Sequence, residues 1–142
     1  MLSKSIEDYL EAIYYLEGLK GRARTSDIAK HLNVTSPSAS EMLSRLRSMG
    51  FVNHKKYVGA TLTPSGVKIA KRIQARHDVL EGFLKKILVS DFSAGKDACE
   101  LEHSLSEESL TQFKEFFSFA EKKGFFDDFS KWEKKNAKTK IS

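Results

Sequence analysis

Apolar residues recur every three or four positions over most of the chain, a period that predicts a mainly α-helical protein. Residues 5–19 form the first such segment, which Gly18 and Gly21 are expected to end. A short helix is predicted at 28–32, after the polar start Thr25-Ser26-Asp27. A third helix is predicted to begin at Ser36-Pro37, where a capping residue precedes a proline suited to the first helical turn.

The pattern changes after the third helix and predicts two strands. Residues 51–57 and 60–63 lie on either side of the turn Val58-Gly59, an arrangement typical of a β-hairpin. Thr63-Pro64 then repeats the capping signal and begins a long helix that reaches about Val89. Further helices are predicted at about 94–104, 106–123 and 125–136.

The predicted order of helix, short helix, three-residue turn, helix and hairpin is that of a winged helix-turn-helix domain, which inserts the N-terminal end of its second helix into the DNA major groove. Small hydroxyl side chains at that end permit a close approach to bases or phosphates. Glu41 would accept a hydrogen bond from a cytosine amino group, or would weaken phosphate contacts. The predicted DNA-contacting residues are Thr25, Ser26, Thr35, Ser36, Pro37, Ser38, Ser40, Glu41, Arg45, Lys55, Lys56 and Tyr57. The alternative is that the serines only cap helices and the lysines only keep the surface solvated.

Charge is unevenly distributed and favours the DNA-binding interpretation. The chain carries a net charge of +5, but residues 20–76 alone hold twelve Lys and Arg against Asp27 and Glu41. The segments on either side of this region have a net negative charge. A concentrated positive segment that coincides with a helix-turn-helix motif is the electrostatic pattern expected of a protein that binds a polyanion.

Composition excludes several other classes of protein. A hydrophobic fraction of 40% and only two prolines exclude a disordered chain of 142 residues. No apolar run approaches the ~18 residues that a membrane span needs, so no membrane association is expected. Acidic residues within the N-terminal apolar pattern predict a helix and not a signal peptide. A single cysteine cannot form an internal disulfide and fits a cytoplasmic location.

Six potential metal ligands occur at helical spacings in distant parts of the chain. Residues three and four apart share one face of a helix, so Asp8 and Glu11 form a pair, and three donors near residue 100 form a cluster. Carboxylate, imidazole and thiolate are donors that first-row divalent metals accept. The predicted metal ligands are Asp8, Glu11, His77, Cys99, Glu102 and His103. A cation bound by both groups would make a DNA-binding segment respond to metal concentration.

Each of these residues also has an ordinary structural interpretation. Asp8 could close a capping box with Ser5, Glu11 could be a surface acid, and Cys99 could be a small buried apolar residue. A different function is open as well: a winged-helix regulator that responds to a small organic effector or to oxidation of Cys99. An enzyme with Cys99 and His103 as a nucleophile–base pair is disfavoured, because no glycine-rich or oxyanion-hole motif accompanies them.

The chain resembles the DtxR/MntR family of metal-dependent transcriptional repressors. The resemblance runs through SIEDYLEAIYYL, RTSDIAKHLNVTSPSASEMLSRLRSMGFV, KYVGATLTPSGVKIAKRIQARHDVLEGFL and ACELEH. It implies a winged helix-turn-helix domain at 1–72 and a helical metal-binding and dimerisation domain at 73–142. It also implies a homodimer that binds a palindromic operator and represses metal-uptake genes. The phenylalanine-rich segment 106–123 is the predicted dimer contact, with intrachain core as the alternative.

The resemblance implies a hybrid set of metal ligands. Asp8, Glu11, His77, Glu102 and His103 match the manganese-type members, which usually carry glutamate where this chain has Cys99. Iron-type members carry cysteine there, but they have methionine at the place of Asp8 and a further histidine at the place of Gly95. Thiolate favours Fe²⁺, Co²⁺ or Zn²⁺, whereas carboxylates suit Mn²⁺. The expected effector is therefore Fe²⁺ or Mn²⁺, with Zn²⁺ also compatible.

Overall fold

The computed structural model describes residues 2–55 and 57–137. Within these ranges the chain forms seven helices and one two-stranded antiparallel sheet. Lys56, one of the predicted DNA contacts, lies outside the described residues. The elements are α1 (Lys4–Lys20), α2 (Thr25–Leu32), α3 (Ser36–Ser48), β1 (Val52–Lys55), β2 (Gly59–Leu62), α4 (Pro64–Lys86), α5 (Asp91–Leu101), α6 (Glu107–Lys122) and α7 (Phe125–Asn136). The predicted mainly helical fold with a winged helix-turn-helix is confirmed.

The chain divides into two compact units, Met1–Gln74 and Ala75–Ser142, with the division inside α4. None of the helices among the described residues is long and apolar enough to cross a membrane.

Helix α1 begins one residue earlier than predicted and is capped differently. The hydroxyl of Ser3 accepts a hydrogen bond from the backbone N–H of Ile6 at 3.3 Å, so Ser3 is the N-cap. Ser5 lies within the helix. The capping box of Ser5 with Asp8, considered as an alternative role for Asp8, is therefore wrong.

The cap of α3 also lies one residue earlier than predicted. Thr35, and not Ser36, is the N-cap: its hydroxyl accepts a hydrogen bond from the Ser38 N–H at 3.2 Å. Pro37 is then in the first turn, where its missing N–H costs nothing. Helix α2 starts at Thr25, three residues before the predicted 28, because its first polar residues are helical and not a preceding turn.

The hairpin is shorter than predicted and has an extra neighbour. Strand β1 ends at Lys55, and Tyr57 lies in the turn with φ 68°. The register pairs Val52 with Leu62. Ala23, in the link between α1 and α2, exchanges two backbone hydrogen bonds with Ala60, at 2.8 and 2.7 Å. This bridge attaches the hairpin to the start of α2.

Side chains of all three N-terminal helices and both strands form the core of the first unit. Leu10 and Ile13 of α1, Ile28 of α2 and Leu43 of α3 are fully buried. The side of α1 that carries Leu10 and Ile13 is thus committed to packing against the helix-turn-helix. About 1.5–3 kcal/mol for each fully buried aliphatic side chain is the usual contribution of such packing.

The second unit combines the end of α4 with α5, α6 and α7. Phe83 of α4 packs its ring against Phe113, Phe117 and Phe126, at centroid distances of 5.6, 6.2 and 6.1 Å. Other rings remain at the surface, including Phe116 at 53% exposure and Trp132 at 56%. Helix α6 therefore packs two rings against Phe83 and leaves others exposed, which fits both interpretations of the segment 106–123.

Gly66, in the first turn of α4, provides a test of the packing in the first unit. A Cβ at Gly66 would lie 2.2 Å from the backbone carbonyl oxygen of Phe51, which belongs to the link between α3 and β1. We therefore expect Gly66→Ala to lower the free energy of unfolding by at least ~1–3 kcal/mol, because backbone must move to admit the methyl group.

Gly18→Ala in α1 is the matched control, since a Cβ there meets nothing within 4 Å. That variant should gain up to about 1 kcal/mol from helix propensity. Urea unfolding followed by circular dichroism measures both. Equal effects of the two substitutions would contradict the close approach at Gly66.

Candidate metal centre and nucleic-acid interface

Three of the predicted ligands converge in the second unit on one ring nitrogen. His77 Nδ1, from α4, lies 2.9 Å from Glu102 Oε2 and 3.7 Å from Cys99 Sγ. Cys99 lies in the last turn of α5, and Glu102 is the C-cap of that helix, so the helical spacing brings both to the same side. A sulfur donor and an oxygen donor thus both lie within hydrogen-bonding distance of the same nitrogen.

His103 adds a second imidazole to this group. Its Nε2 lies 3.2 Å from Glu102 Oε1, so the two oxygens of one carboxylate face two histidines. The side chain of Glu102 has 0% exposure and that of His103 has 4%. A carboxylate this deeply buried needs cations or hydrogen-bond donors around it.

The other nitrogen of His77 has a carboxylate of its own. His77 Nε2 lies 2.8 Å from Glu81 Oε2, and the second oxygen of Glu81 pairs with Lys85 Nζ at 2.9 Å. The hydrogen bond from Lys85 holds the pKa of the Glu81 carboxyl below its ordinary value, with the His77 contact acting in the same direction. The same contact raises the pKa of Lys85. Glu81 was not among the residues predicted from the sequence to belong to the site, although its position four residues after His77 places both on one face of a helix.

Arg76 fastens the backbone that carries Glu102. Its Nη1 donates a hydrogen bond to the carbonyl oxygen of Glu102 at 3.4 Å, and its guanidinium also pairs with Glu107 at the start of α6. The chain between α5 and α6, which includes His103, is thereby held against α4 within the second unit.

Asp8 and Glu11 lie on α1, in the first unit. Both side chains are half-buried, and they stand three residues apart on one face of the helix. Asp8 Oδ2 lies 3.7 Å from Lys4 Nζ, one turn earlier.

The donor chemistry at His77, Cys99, Glu102 and His103 fits a divalent transition metal. Across the described ranges, no group of three or more such side chains is already spaced as a finished metal site. His77 instead hydrogen bonds to Glu102 and Cys99, and His103 lies against Glu102. Ligation would replace the shared protons, since thiol, imidazole and carboxyl ligands bind metal in their deprotonated forms. Imidazole, thiolate and carboxylate together suit Fe²⁺ or Zn²⁺, and added carboxylates extend the fit to Mn²⁺.

The predicted DNA-contacting residues that the structure describes form one surface of the first unit. Those at the N-terminal end of α3, namely Thr35, Ser36, Pro37, Ser38, Ser40 and Glu41, are exposed, and Arg45 is exposed one turn further on. Thr25 at the start of α2 is half-buried and Ser26 is exposed. Tyr57 at the tip of the hairpin is 90% exposed, an unusual position for a large aromatic ring.

A groove of about 340 Å³ connects these three elements. It brings the start of α2 and Ser36 of α3 together with Tyr57 of the hairpin. Two further residues of this groove, Arg24 and His54, were missed by the sequence analysis. Arg24 immediately precedes α2, next to the first N–H groups of the helix, which have no intrahelical acceptor.

Glu17 connects α1 to the hairpin. Its Oε2 accepts a hydrogen bond from the backbone N–H of Leu62 in β2 at 3.0 Å, across 45 residues of sequence. Glu17 and the pair Asp8 and Glu11 therefore belong to one continuous helix, near its opposite ends. No local pattern could have indicated this contact.

Comparisons with known proteins identify the family of the chain. The family model described as iron dependent repressor, N-terminal DNA binding domain, matches residues 1–60, and its metal binding and dimerisation domain matches residues 63–124. The chain is 38% identical over 137 residues to the HTH-type transcriptional regulator MntR of Shouchella clausii, which covers 96% of both proteins. It is also 38% identical over 117 residues to an uncharacterized HTH-type transcriptional regulator of Methanocaldococcus jannaschii, covering 81% of this chain and 94% of that protein.

Among solved structures, IdeR of T. acidophilum superposes with a TM-score of 0.71 at 30% identity. The match covers 79% of this chain but 53% of the IdeR chain, so this chain spans about half the length of that protein.

The link between α1 and β2 gives a test of the first unit. We expect Glu17→Ala to destabilise the protein by about 1–3 kcal/mol, because it removes a charged acceptor and leaves the Leu62 N–H unsatisfied. Glu17→Gln keeps an acceptor oxygen and should recover most of the loss. Hydrogen exchange at the Leu62 amide measures the contact itself, and unchanged protection in Glu17→Ala would rule it out.

Proposed function

The chain belongs to the DtxR/MntR family of metal-dependent transcriptional repressors, and from this premise we propose that it represses metal-uptake genes when its divalent metal is plentiful. The single observation that supports this most is the convergence of Cys99, His77 and Glu102, next to His103, in a chain whose other unit is a winged helix-turn-helix. We assign DNA binding to residues 1–72, and metal binding and dimerisation to residues 73–142. The protein acts as a homodimer on a palindromic operator, in the cytoplasm, where the chromosome is.

The proposed metal ligands are Asp8, Glu11, His77, Cys99, Glu102 and His103. Four of them are already neighbours in the second unit, and the family resemblance supports the pair on α1. A bound divalent cation would neutralise the buried carboxylate and the thiolate. Asp8 and Glu11 would complete the ligand set, so that ligation restrains α1 and, with it, the helix-turn-helix that packs on α1.

The proposed effector is Fe²⁺ or Mn²⁺. Cys99 is a soft donor that favours Fe²⁺, whereas Asp8 and Glu11 are hard donors that favour Mn²⁺. Zn²⁺ is compatible with the imidazoles and the thiolate.

Regulation is a shift between two populations of the dimer. A ligand changes DNA affinity only to the extent that it binds the DNA-competent arrangement better than the other. In that arrangement the two α3 helices of the dimer reach successive major grooves about one helical turn, ~34 Å, apart. In this proposal the residues that bind the cation are different from the residues that contact the DNA.

We propose no enzymatic activity for the chain. This rests on the family, which is one of transcriptional regulators.

Substitution of a ligand on α1 tests the metal-dependent switch. We expect Glu11→Ala to reduce operator affinity in the presence of Mn²⁺ or Fe²⁺ to the level of chelated wild type, while the dimer remains intact by size-exclusion chromatography. Fluorescence anisotropy with labelled operator, titrated with EDTA, measures the response. Glu100→Ala, which removes an exposed carboxylate one residue from Cys99, is the control and should behave as wild type.

Two outcomes would contradict the proposal. If Glu11→Ala retained the full response to EDTA, the pair on α1 would not be part of the switch. A wild-type complex insensitive to the chelator would favour a regulator that responds to an organic effector or to oxidation of Cys99.

Arg24 tests the nucleic-acid surface. We expect Arg24→Ala to weaken binding to operator and to unrelated DNA alike, and to make the slope of log K against log salt shallower by about 0.9, the value for one lost phosphate contact. Lys30→Ala removes the same charge from the opposite end of α2 and should leave the slope nearly unchanged. An equal change in both variants would show that only net charge matters.

A further inference from the structure

The two nitrogens of His77 face different surroundings. Nδ1 is directed to the cluster, 2.9 Å from Glu102 and 3.7 Å from Cys99. Nε2 is directed away from those donors and lies 2.8 Å from Glu81 Oε2. Only a nitrogen without a proton can donate its lone pair to a metal, and the hydrogen bond at the other nitrogen decides which one that is.

Glu81 is placed to make that choice. When ionised it carries no proton to give to Nε2, so it can only accept. Glu102, 2.9 Å from Nδ1, attracts the proton in the same way while no cation is bound. With Glu102 engaged by a cation, only Glu81 would hold the proton, and the proton would then sit on Nε2. The lone pair is then on Nδ1, on the side of Cys99 and Glu102. The contact also fixes the plane of the ring, because both Glu81 and His77 lie on α4 one turn apart.

Both oxygens of Glu81 are already engaged. Oε2 contacts His77 and Oε1 contacts Lys85 Nζ at 2.9 Å. Lys85 therefore holds the carboxylate from the side opposite to the histidine. This arrangement favours a supporting role over direct ligation, because a ligand oxygen would have to leave one of these partners.

We propose that Glu81, held by Lys85, is a positioning residue that orients His77 and presents its Nδ1 to the metal. This inference rests on the proposed function, in which His77 is a ligand. Stability is a poor alternative explanation, because half-exposed ion pairs between residues four apart on a helix contribute little to folding. Removal of Glu81 should therefore change metal affinity much more than unfolding.

The experiment compares Glu81→Ala, Glu81→Gln and Lys85→Ala with wild type. Competition of Mn²⁺ with a fluorescent chelator gives the dissociation constant, and thermal unfolding of the chelated protein gives stability. We expect Glu81→Ala to weaken Mn²⁺ binding by about 10–100-fold, the usual effect of losing the partner of a ligand histidine. Glu81→Gln retains an acceptor and should weaken binding less, Lys85→Ala should also weaken it less, and the unfolding temperature should change little. Asp78→Ala, which removes an acid one residue from His77 on the same helix, is the matched control for a simple charge effect.

A spectroscopic measurement reads which ring nitrogen carries the proton. In the protein loaded with diamagnetic Zn²⁺, the ¹⁵N shifts of the His77 ring should report ligation through Nδ1 with the proton on Nε2 in wild type, and a mixture of the two arrangements in Glu81→Ala. If Glu81→Ala lowered the unfolding temperature or the Mn²⁺ affinity without changing which nitrogen of His77 carries the proton, Glu81 would have only a structural role. That result would overturn the proposal.

His77→Ala separates this inference from the proposed function. If His77→Ala abolishes tight Mn²⁺ binding and Glu81→Ala leaves it unchanged, only the positioning role fails. If His77→Ala itself binds Mn²⁺ as wild type does, the ligand set fails. A lower number of Mn²⁺ ions per chain in Glu81→Ala, measured by elemental analysis, would show that Glu81 is a ligand and would also overturn the positioning role.

Discussion

The second unit depends on a carboxylate buried between two imidazoles. Glu102 is among the largest fully buried side chains of the described residues, in a set otherwise composed of leucines and isoleucines. Burying a carboxylate costs several kcal/mol unless charge or hydrogen bonds compensate, and a well-packed apolar residue would usually be as stable or more so. The arrangement is therefore hard to explain by stability alone. A cation bound by the carboxylate and its neighbours would compensate the cost of burying the charge.

Helix geometry and two side-chain contacts determine the surroundings of Glu102. Cys99 lies one turn before Glu102, and the chain leaves α5 at His103, so a single helix end presents three donors. Arg76 holds the backbone of Glu102, while Glu81 holds the outer nitrogen of His77. Both of these residues lie on α4, within five residues of each other. One helix, α4, thus supplies a proposed ligand and the two contacts that position the proposed ligands.

Local patterns in the sequence predicted most of the elements, since helical period, caps and the hairpin turn are all encoded by neighbouring residues. The caps of α1 and α3 were wrong by one residue, since Thr35 and Ser36 are both good capping residues and only tertiary packing decides between them. The start of α2 was wrong by three residues and the end of β1 by two. The candidate donors were also visible from their spacing. Contacts between distant residues were not: the bridge of Ala23 to Ala60 and the hydrogen bond of Glu17 to Leu62 leave no periodic signal. Glu81 was missed because its significance comes from its contact with His77. Arg24 was missed because its significance comes from a groove that three elements form together.

The placement of donors and DNA-facing elements in the first unit suggests how a constraint at one would reach the other. Helix α1 carries Asp8 and Glu11 on its first half and Glu17 on its last turn, where Glu17 holds the strand β2. Its buried side packs against α2 and α3 through Leu10 and Ile13. A helix of 17 residues with such a core is stiff over its length, so it cannot be restrained at the donor end while its other end moves freely. Any restraint on the carboxylates of Asp8 and Glu11 therefore acts on the hairpin and on α3 together, because α1 contacts both directly.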